Sequence, residues 1–254
     1  MCVRLVLLCL VVAVALFRPA SATHGERLFP ETGWKVGGRL LDYWVQNGGL
    51  PVFGLPLGPT TPLAPGDASP SFQLFERERL ESHPHLAPPY DVLLGGLGDE
   101  LLRRAGRDWR TEDGGEPPSG TCRRFTETER HVCGVFLDYW RAHGLEYGDD
   151  GISERESLGL FGLPLTAPRV ETNSSGDTVM TQWFERARFE LHPSSPTPVL
   201  LGRLGAELLG AEPLPLPPLL VEVEPLAVVQ GHTTRVTAVG DGARVIRGTL
   251  GGVA

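Results

Sequence analysis

The chain has 254 residues and a formal net charge of −8 at pH 7, and 41% of its residues are hydrophobic. An acidic surface repels phosphate groups, so this composition argues against nucleic acid and against anionic lipid as partners. The length allows more than one small domain.

The first 22 residues are predicted to be a secretory signal peptide. Arg4 gives the positive start, Leu5–Phe17 is the apolar segment, and Ala20–Ala22 has the form of an A-x-A cleavage site. The apolar segment is shorter than the roughly 20 residues of a membrane-spanning helix, and no other stretch is long and apolar enough to span. A retained anchor is the alternative. Cleavage would give a secreted chain that begins at Thr23, with a net charge of −10 because Arg4 and Arg18 are removed.

Four sequence blocks occur twice, in the same order. Leu41–Trp44 returns as Leu137–Trp140, Phe53–Leu57 as Phe161–Leu165, Phe75–Pro84 as Phe184–Pro193, and Val92–Gly98 as Val199–Gly205. Their shared order indicates an internal duplication. We therefore predict two similar lobes, residues 23–106 and 121–210, joined by a polar linker at residues 107–120.

Each lobe is predicted to contain a helix, a β-hairpin and a short closing helix, so the predicted fold class is α+β. Apolar residues at helical spacing, followed by glycine, mark the first helix of each lobe. The predicted helices and hairpin turns lie at Gly37–Gln46, Arg77–Glu78 and Leu97–Arg104, and at Val135–His143, Arg186–Ala187 and Leu204–Leu209.

The second lobe carries an insertion of about twelve residues, Glu146–Ser157. Its Gly, Asp and Ser content is typical of a solvated loop. A calcium loop is the alternative, but the ligand spacing D-x-D-x-D-G is absent.

The end of the chain is predicted to be a separate β segment. Residues 211–218 form a proline-rich linker, and residues 219–254 contain valine-rich stretches between glycine turns. This length gives three or four strands, whereas an immunoglobulin-like sandwich needs about seven. The segment therefore looks like a partial, Ig-like sandwich.

Two cysteines, Cys122 and Cys133, remain after signal cleavage. An even pair in an exported chain favours a disulfide. Two free buried thiols are the alternative, and a zinc site is disfavoured because a second pair of ligands is missing.

Motifs for catalysis are not recognisable in the chain. His83-Pro84-His85 has the H-x-H form of a metal site, but the second copy has Ser194 where the second histidine would stand. The glutamates near Glu76 alternate with arginines, which keeps carboxylates ionised and suits a salt-bridged surface better than a general acid. We predict a protein that is not an enzyme and has no cofactor or metal.

Aromatic side chains are the candidate ligand-binding residues. Flat rings in an open groove stack on sugars, whereas the same rings could instead fill two small cores. The candidates are Tyr43, Trp44, Tyr139, Trp140 and Trp183.

The duplicated blocks carry a family resemblance. "FPETGWKVGGRLLDYWVQNGGLPVFGLPL", "FQLFERERLESHP" and "VLLGGLGDELL" resemble a repeat of secreted bacterial proteins, over residues 29–209, and more distantly the LGFP repeats of cell-wall proteins. The second copy departs from the pattern, because no glycine follows the threonine in Phe125–His131. The resemblance implies an envelope-associated, non-catalytic module, and a cysteine pair common in such second copies supports the disulfide.

Three functions stay open on the sequence. The first is a secreted module that binds peptidoglycan or another extracellular polysaccharide. The second is the targeting half of a cell-wall endopeptidase, because the tail is similar to the sandwich that precedes lysostaphin-type zinc endopeptidase domains. The third is a structural spacer.

Overall fold

The structure is a computed structural model, and it describes residues 25–63, 70–115, 119–148 and 150–210 together with three strands of the tail. The predicted signal peptide and the proline-rich linker lie outside the described residues. Within the described part, no helix combines the length and the apolar character needed to cross a membrane.

Repeat 1 contains a two-stranded hairpin, two helices, a four-stranded antiparallel sheet and a closing helix. The elements are β1 (Glu26–Phe29), β2 (Trp34–Gly37), α1 (Gly38–Gln46), α2 (Gly49–Phe53), β3 (Thr61–Pro62), β4 (Ser71–Leu74), β5 (Arg79–Ser82), β6 (Val92–Leu94) and α3 (Leu97–Arg104).

Repeat 2 contains the same elements in the same order. They are β7 (Cys122–Phe125), β8 (Arg130–Cys133), α4 (Gly134–Ala142), α5 (Glu154–Phe161), β9 (Arg169–Thr172), β10 (Thr178–Trp183), β11 (Arg188–Leu191), β12 (Val199–Leu201) and α6 (Leu204–Leu209). The predicted α+β fold class is confirmed, and each repeat has a richer sheet than the single hairpin that the sequence predicted.

The insertion in repeat 2 is not a plain loop. Helix α5 begins at Glu154, inside the segment that the sequence predicted to be solvated loop. Ser153 and Glu156 form a capping box, in which each side chain satisfies a backbone N–H of the other residue. Glu156 is 1% exposed and also accepts a hydrogen bond from the backbone N–H of Tyr147, so it fixes the start of the insertion as well.

The duplicated glutamine of each sheet joins it to the first hairpin of its repeat. Gln73 donates its side-chain N–H groups to the carbonyl oxygens of Lys35 and Gly58, and Gln182 does the same in repeat 2 to His131 and Thr166.

The duplicated phrase around "FER" supports the turn that precedes the sheet. Glu76 accepts the backbone N–H of Leu55, and Glu185 accepts that of Leu163, so each carboxylate holds the Gly-Leu-Pro turn of its own repeat. Phe184 and its repeat 1 counterpart, Phe75, are fully buried. The phrase therefore returns because it builds the fold.

Each sheet also presents an arginine to its closing helix. Arg79 pairs with Glu81 on its own strand and with Glu100 on α3. In repeat 2, Arg188 pairs in the same way with Glu190 on its own strand and with Glu207 on α6. The alternating charges are thus buried or half-buried ion pairs between a strand and a helix.

The two repeats meet in reciprocal contacts, which we call the inter-repeat seam. The backbone N–H groups of Gly98 and Asp99 donate to the carbonyl oxygen of Glu185, over 3.0 and 3.3 Å. In the opposite sense, the N–H of Ala206 donates to the carbonyl oxygen of Glu76 over 3.1 Å. The first turn of each closing helix thus finds its hydrogen-bond acceptor in the other repeat.

Glycine permits the close approach at the seam. A β-carbon on Gly98 would stand 1.9 Å from the carbonyl oxygen of Phe184, and one on Gly205 would stand 1.9 Å from that of Phe75. Neither distance can accommodate a side chain. The contact between the repeats therefore requires glycine at the last position of the duplicated blocks Val92–Gly98 and Val199–Gly205.

The hydrophobic core is shared between the repeats. One cluster of buried side chains contains Phe53 and Leu80 of repeat 1 together with Leu137 and Phe189 of repeat 2. A second cluster joins Leu97 of α3 to residues of repeat 2. Each cluster thus contains residues of both repeats, where the sequence suggested one small core for each repeat.

The described strands of the tail form a three-stranded antiparallel sheet. They are β13 (Leu220–Glu224), β14 (Thr234–Gly240) and β15 (Val245–Leu250), with β14 in the centre. This agrees with the predicted strand content, and the Ig-like character of the segment stays a prediction.

Candidate functional site

The aromatic residues proposed for ligand binding are mostly buried. Trp140 is 1% exposed, Tyr43 is 2% exposed, and Trp44 and Trp183 are each 6% exposed. Tyr139 is half-buried against the same core. A ring that stacks on a sugar needs a free face, so the burial favours the core role that the sequence left open.

Trp44 and Trp140 occupy matching stacks in the two repeats. Trp44 meets the ring of Phe29 at 5.3 Å and 77°, and Trp140 meets Phe125 at 5.4 Å and 78°. An arginine of the first strand covers each pair, and it lies 4.7 Å from the phenylalanine ring in both repeats. A stack copied this closely is a structural unit of the fold.

The two tyrosines are shielded as well. Burial raises the pKa of Tyr139 to about 12, in spite of the opposing charge of Arg77. Burial raises the pKa of Tyr43 further, and the Tyr43 hydroxyl has no hydrogen-bond partner within the described residues. Neither hydroxyl is placed for contact with a large ligand in solution.

Trp183 is held by polar contacts at the linker side of the sheet. Its indole N–H donates to a carboxylate oxygen of Glu171 over 2.8 Å. The guanidinium groups of Arg107 and Arg188 lie 5.7 and 4.8 Å from the ring centroid. Arg107 belongs to the predicted linker, so this tryptophan helps to anchor the linker on repeat 2.

Cys122 and Cys133 form the predicted disulfide. They are the paired end residues of β7 and β8. The bond therefore closes the open end of the hairpin, and the turn at its other end lies free to take part in a site.

That turn lines an open cavity of about 310 Å³. This volume lies at the lower end of the range for small-molecule sites. The lining residues are Trp109, Arg110, Glu127, Thr128, Glu129 and Arg130. We treat this cavity, the linker–turn pocket, as the candidate functional site.

One residue that lines the pocket has a buried hydroxyl group. Thr128 is 8% exposed, and its hydroxyl oxygen is buried without a hydrogen-bond partner in the described part of the chain. A buried polar group in a native protein normally has a partner. The equivalent hydroxyl of Thr32 in repeat 1 is buried in the same way, so this feature belongs to the turns of both repeats.

The turn also contains a strained residue. Glu129 has a φ of 56°, in the left-handed region, and it is the one non-glycine residue of the described chain with positive φ. The equivalent position in repeat 1 is Gly33, with a φ of 68°. Strain of this kind collects at functional sites, and here it places a carboxylate at the rim of the pocket.

Arg130 joins the linker to the turn. It is 7% exposed and donates to the carbonyl oxygens of Trp109 and Glu112 in the linker, and to that of Leu165 in repeat 2. Repeat 1 has Trp34 at this position. The pocket therefore depends on a substitution that is specific to repeat 2, at the point where the sequence departs from the repeat pattern.

The pocket offers groups suited to a polar ligand. The guanidinium of Arg110 lies 4.3 Å above the ring of Trp109, and the indole N–H of Trp109 donates to Asp99. Glu127 and Glu129 add exposed carboxylates at the rim. Carboxylates and guanidinium groups bind hydroxyl groups well, so the lining suits a polyhydroxylated molecule.

Groups able to hold a metal ion are not clustered in the part of the chain that the structure describes. The rings of His83 and His85 lie 5.8 Å apart, edge to face, and His83 faces a carboxylate of Glu81. The sequence did not single out the pocket, because Trp109 and Thr128 become neighbours only through the bonds of Arg130.

The sequence matches no protein-family model, and no curated protein matches it.

Proposed function

We propose that the protein is a secreted, non-catalytic module that binds extracellular polysaccharide in the linker–turn pocket. The observation that carries this proposal is the open cavity of about 310 Å³, whose lining combines the indole of Trp109 with the guanidinium of Arg110 and the carboxylates of Glu127 and Glu129. The predicted signal peptide supports an extracellular ligand.

The burial of Trp44 and Trp140 moves the proposed site away from the aromatic residues of the duplicated blocks. Trp109 takes their place as the aromatic wall. It lies in the linker and is half-buried, so part of its surface faces the cavity. The proposal therefore keeps the ligand class suggested by the sequence and changes the residues.

Binding of the mature chain, Thr23 to Ala254, to insoluble peptidoglycan and to soluble chitin fragments and dextran tests the proposal. We expect saturable binding to at least one of these. Arg110→Ala, which removes the guanidinium at the pocket, should weaken that binding about fivefold, which corresponds to one hydrogen bond. Glu127→Gln should also weaken it.

Arg104→Ala is the matched control. Arg104 is an exposed arginine of α3 that pairs with Glu100 and does not line the pocket. Equal losses in Arg104→Ala and Arg110→Ala would indicate a general effect of charge and would contradict a site in the pocket.

A structural spacer is the second candidate function, and the inter-repeat seam favours it. Two repeats that share a core and cap each other's helices form a stiff unit. If the mature chain binds none of the glycans, the polysaccharide proposal fails and the spacer becomes the better account.

A further inference from the structure

Glu78 is a buried carboxyl group in a position where repeat 2 has alanine. Glu78 is 1% exposed and Ala187, its equivalent, is 2% exposed. Both residues close the same turn, because Phe75 and Phe184 each donate a backbone N–H to the carbonyl oxygen three residues later. Repeat 2 shows that the fold needs no carboxyl group at this position.

The carboxyl group of Glu78 lacks the partners that usually accompany burial. Its Oε2 atom has no hydrogen-bond partner among the described residues, and the nearby Tyr43 hydroxyl also lacks one. Burial raises the pKa of Glu78 well above its ordinary value, and the charge of Arg186 opposes this shift only in part. The acid is therefore neutral where most carboxyl groups are ionised.

Arg186 reaches Glu78 from the other repeat. Its Nε–H donates to the carbonyl oxygen of Leu94 in repeat 1, and its Nη1 donates to that of Leu158 in repeat 2. The guanidinium is thus engaged by two backbone carbonyl oxygens and, over 3.7 Å, by the carboxylate of Glu185. Glu78 stands where the two repeats meet.

Other charged and titratable groups face this position from each neighbouring element. Tyr43 on α1 interacts with Glu78, and its own surroundings include Tyr147 of the insertion, Arg39 of α1 and Arg186. Removing the proton from Glu78 would therefore place a negative charge beside the neutral Tyr43 hydroxyl and near Arg186, a cation that is already engaged.

We propose that Glu78 is a proton-controlled lock of the inter-repeat seam. With its proton in place, Glu78 is compatible with the closed seam. Without it, an unpaired carboxylate would remain buried, which is strongly unfavourable. Separation of the two turns admits water to the carboxylate, so ionisation favours an opened seam.

The direction of the pH effect follows from the raised pKa. When the seam is open, the carboxyl group titrates near its ordinary value; when it is closed, it titrates at a higher pH. The closed state is therefore fully favoured below the ordinary value and loses stability as the pH rises toward the raised pKa. In that window the opening constant should increase about tenfold per pH unit.

Hydrogen exchange of the full mature chain tests this. The amides of Gly98 and Ala206 report on the seam, because each donates to a carbonyl of the other repeat. After correction for the intrinsic pH dependence of exchange, their protection should fall about tenfold per pH unit above the ordinary carboxyl range in the wild type. It should stay constant in Glu78→Gln.

Amides of the ladder between β11 and β12, such as that of Gly202, which donates to the carbonyl oxygen of Arg188, are the internal control, since they lie within one repeat. The same pH slope at the seam in wild type and in Glu78→Gln would overturn the proposal. Glu78→Ala repeats the arrangement of Ala187 and gives a second variant should the amide perturb the turn. A direct titration by carboxyl carbon chemical shift adds a test on the wild type, and an ordinary pKa for Glu78 would also overturn it.

Discussion

The backbone N–H of Gly98 donates over 3.0 Å to the carbonyl oxygen of Glu185, so a turn of repeat 2 caps a helix of repeat 1. The same contact occurs with the roles exchanged, from Ala206 to Glu76. The duplicated turns and the duplicated helix starts are therefore two halves of one contact, and each repeat carries both halves.

Gly98→Ala should destabilise the protein by about 2 kcal/mol or more, because the new methyl group would overlap the backbone of Phe184. Gly205→Ala should have a similar effect. Chemical denaturation measures both. Gly96→Ala is the matched control: its nearest neighbour lies 3.6 Å away, an ordinary contact. A large loss in Gly96→Ala alone would contradict the assignment.

Glu129→Gly should stabilise the protein by about 1 kcal/mol, because glycine adopts the left-handed conformation without steric cost. Thermal unfolding would show this as a higher Tm. The reciprocal change, Gly33→Glu, should destabilise repeat 1 by a similar amount. A stabilised variant with weaker glycan binding would place the Glu129 carboxylate at the ligand, whereas unchanged binding would leave it at the rim only.

Trp44→Ala and Trp140→Ala should each cost about 3–5 kcal/mol of folding free energy, the usual loss for a large buried ring. Circular dichroism during urea unfolding measures the effect. Trp44→Phe and Trp140→Phe should lose less, because a ring remains in the stack. Alanine variants that retain full stability but lose glycan binding would restore these tryptophans as ligand contacts.

Glu190→Gln should weaken folding by about 1–3 kcal/mol at neutral pH, because it breaks a buried pair with Arg188. Burial alone would raise the pKa of Glu190, but the charge of Arg188 and the hydrogen bond from Asn173 outweigh it and lower the pKa. The stabilisation is therefore present above the ordinary carboxyl range and is lost as the pH falls through the lowered pKa.

Urea titrations of wild type and Glu190→Gln over a series of acidic pH values check this expectation. Their difference should shrink as the pH falls. Glu26→Gln is the control, because Glu26 forms an exposed pair with Lys35, and such pairs contribute little. A difference of constant size at every pH would show that the effect comes from shape and not from charge.

The predicted bounds of the two closing helices, Leu97–Arg104 and Leu204–Leu209, agree with the structure at both ends. Both helices follow glycine-containing turns and carry apolar residues at helical spacing, so the local sequence is enough to predict them. The edge strands were missed. Strand β3 has only two residues and pairs through backbone bonds to β4, so the local sequence carries almost no signal for it.

The insertion was predicted to be a loop although Ser153 and Glu156 have the spacing of a capping box. The acidic and glycine residues before them favoured the interpretation as a loop.

The sequence failed to predict the linker–turn pocket for a different reason. Its walls come from segments about twenty residues apart, and they meet only because Arg130 donates to linker carbonyls. Tertiary contacts of this kind leave no periodic pattern to find.

Because the contacts at the inter-repeat seam are reciprocal, the two repeats are arranged like the subunits of a two-fold symmetric dimer joined into one chain. In a solenoid, each copy shows one face to the copy before it and another to the copy after it, so the array can grow. Here Gly98 and Gly205 lie on equivalent faces of the two repeats, and these two faces contact each other. A face that pairs with its own copy is saturated by one partner. Both copies of this face are therefore occupied in the inter-repeat seam, and a third repeat would have to bind through a different surface.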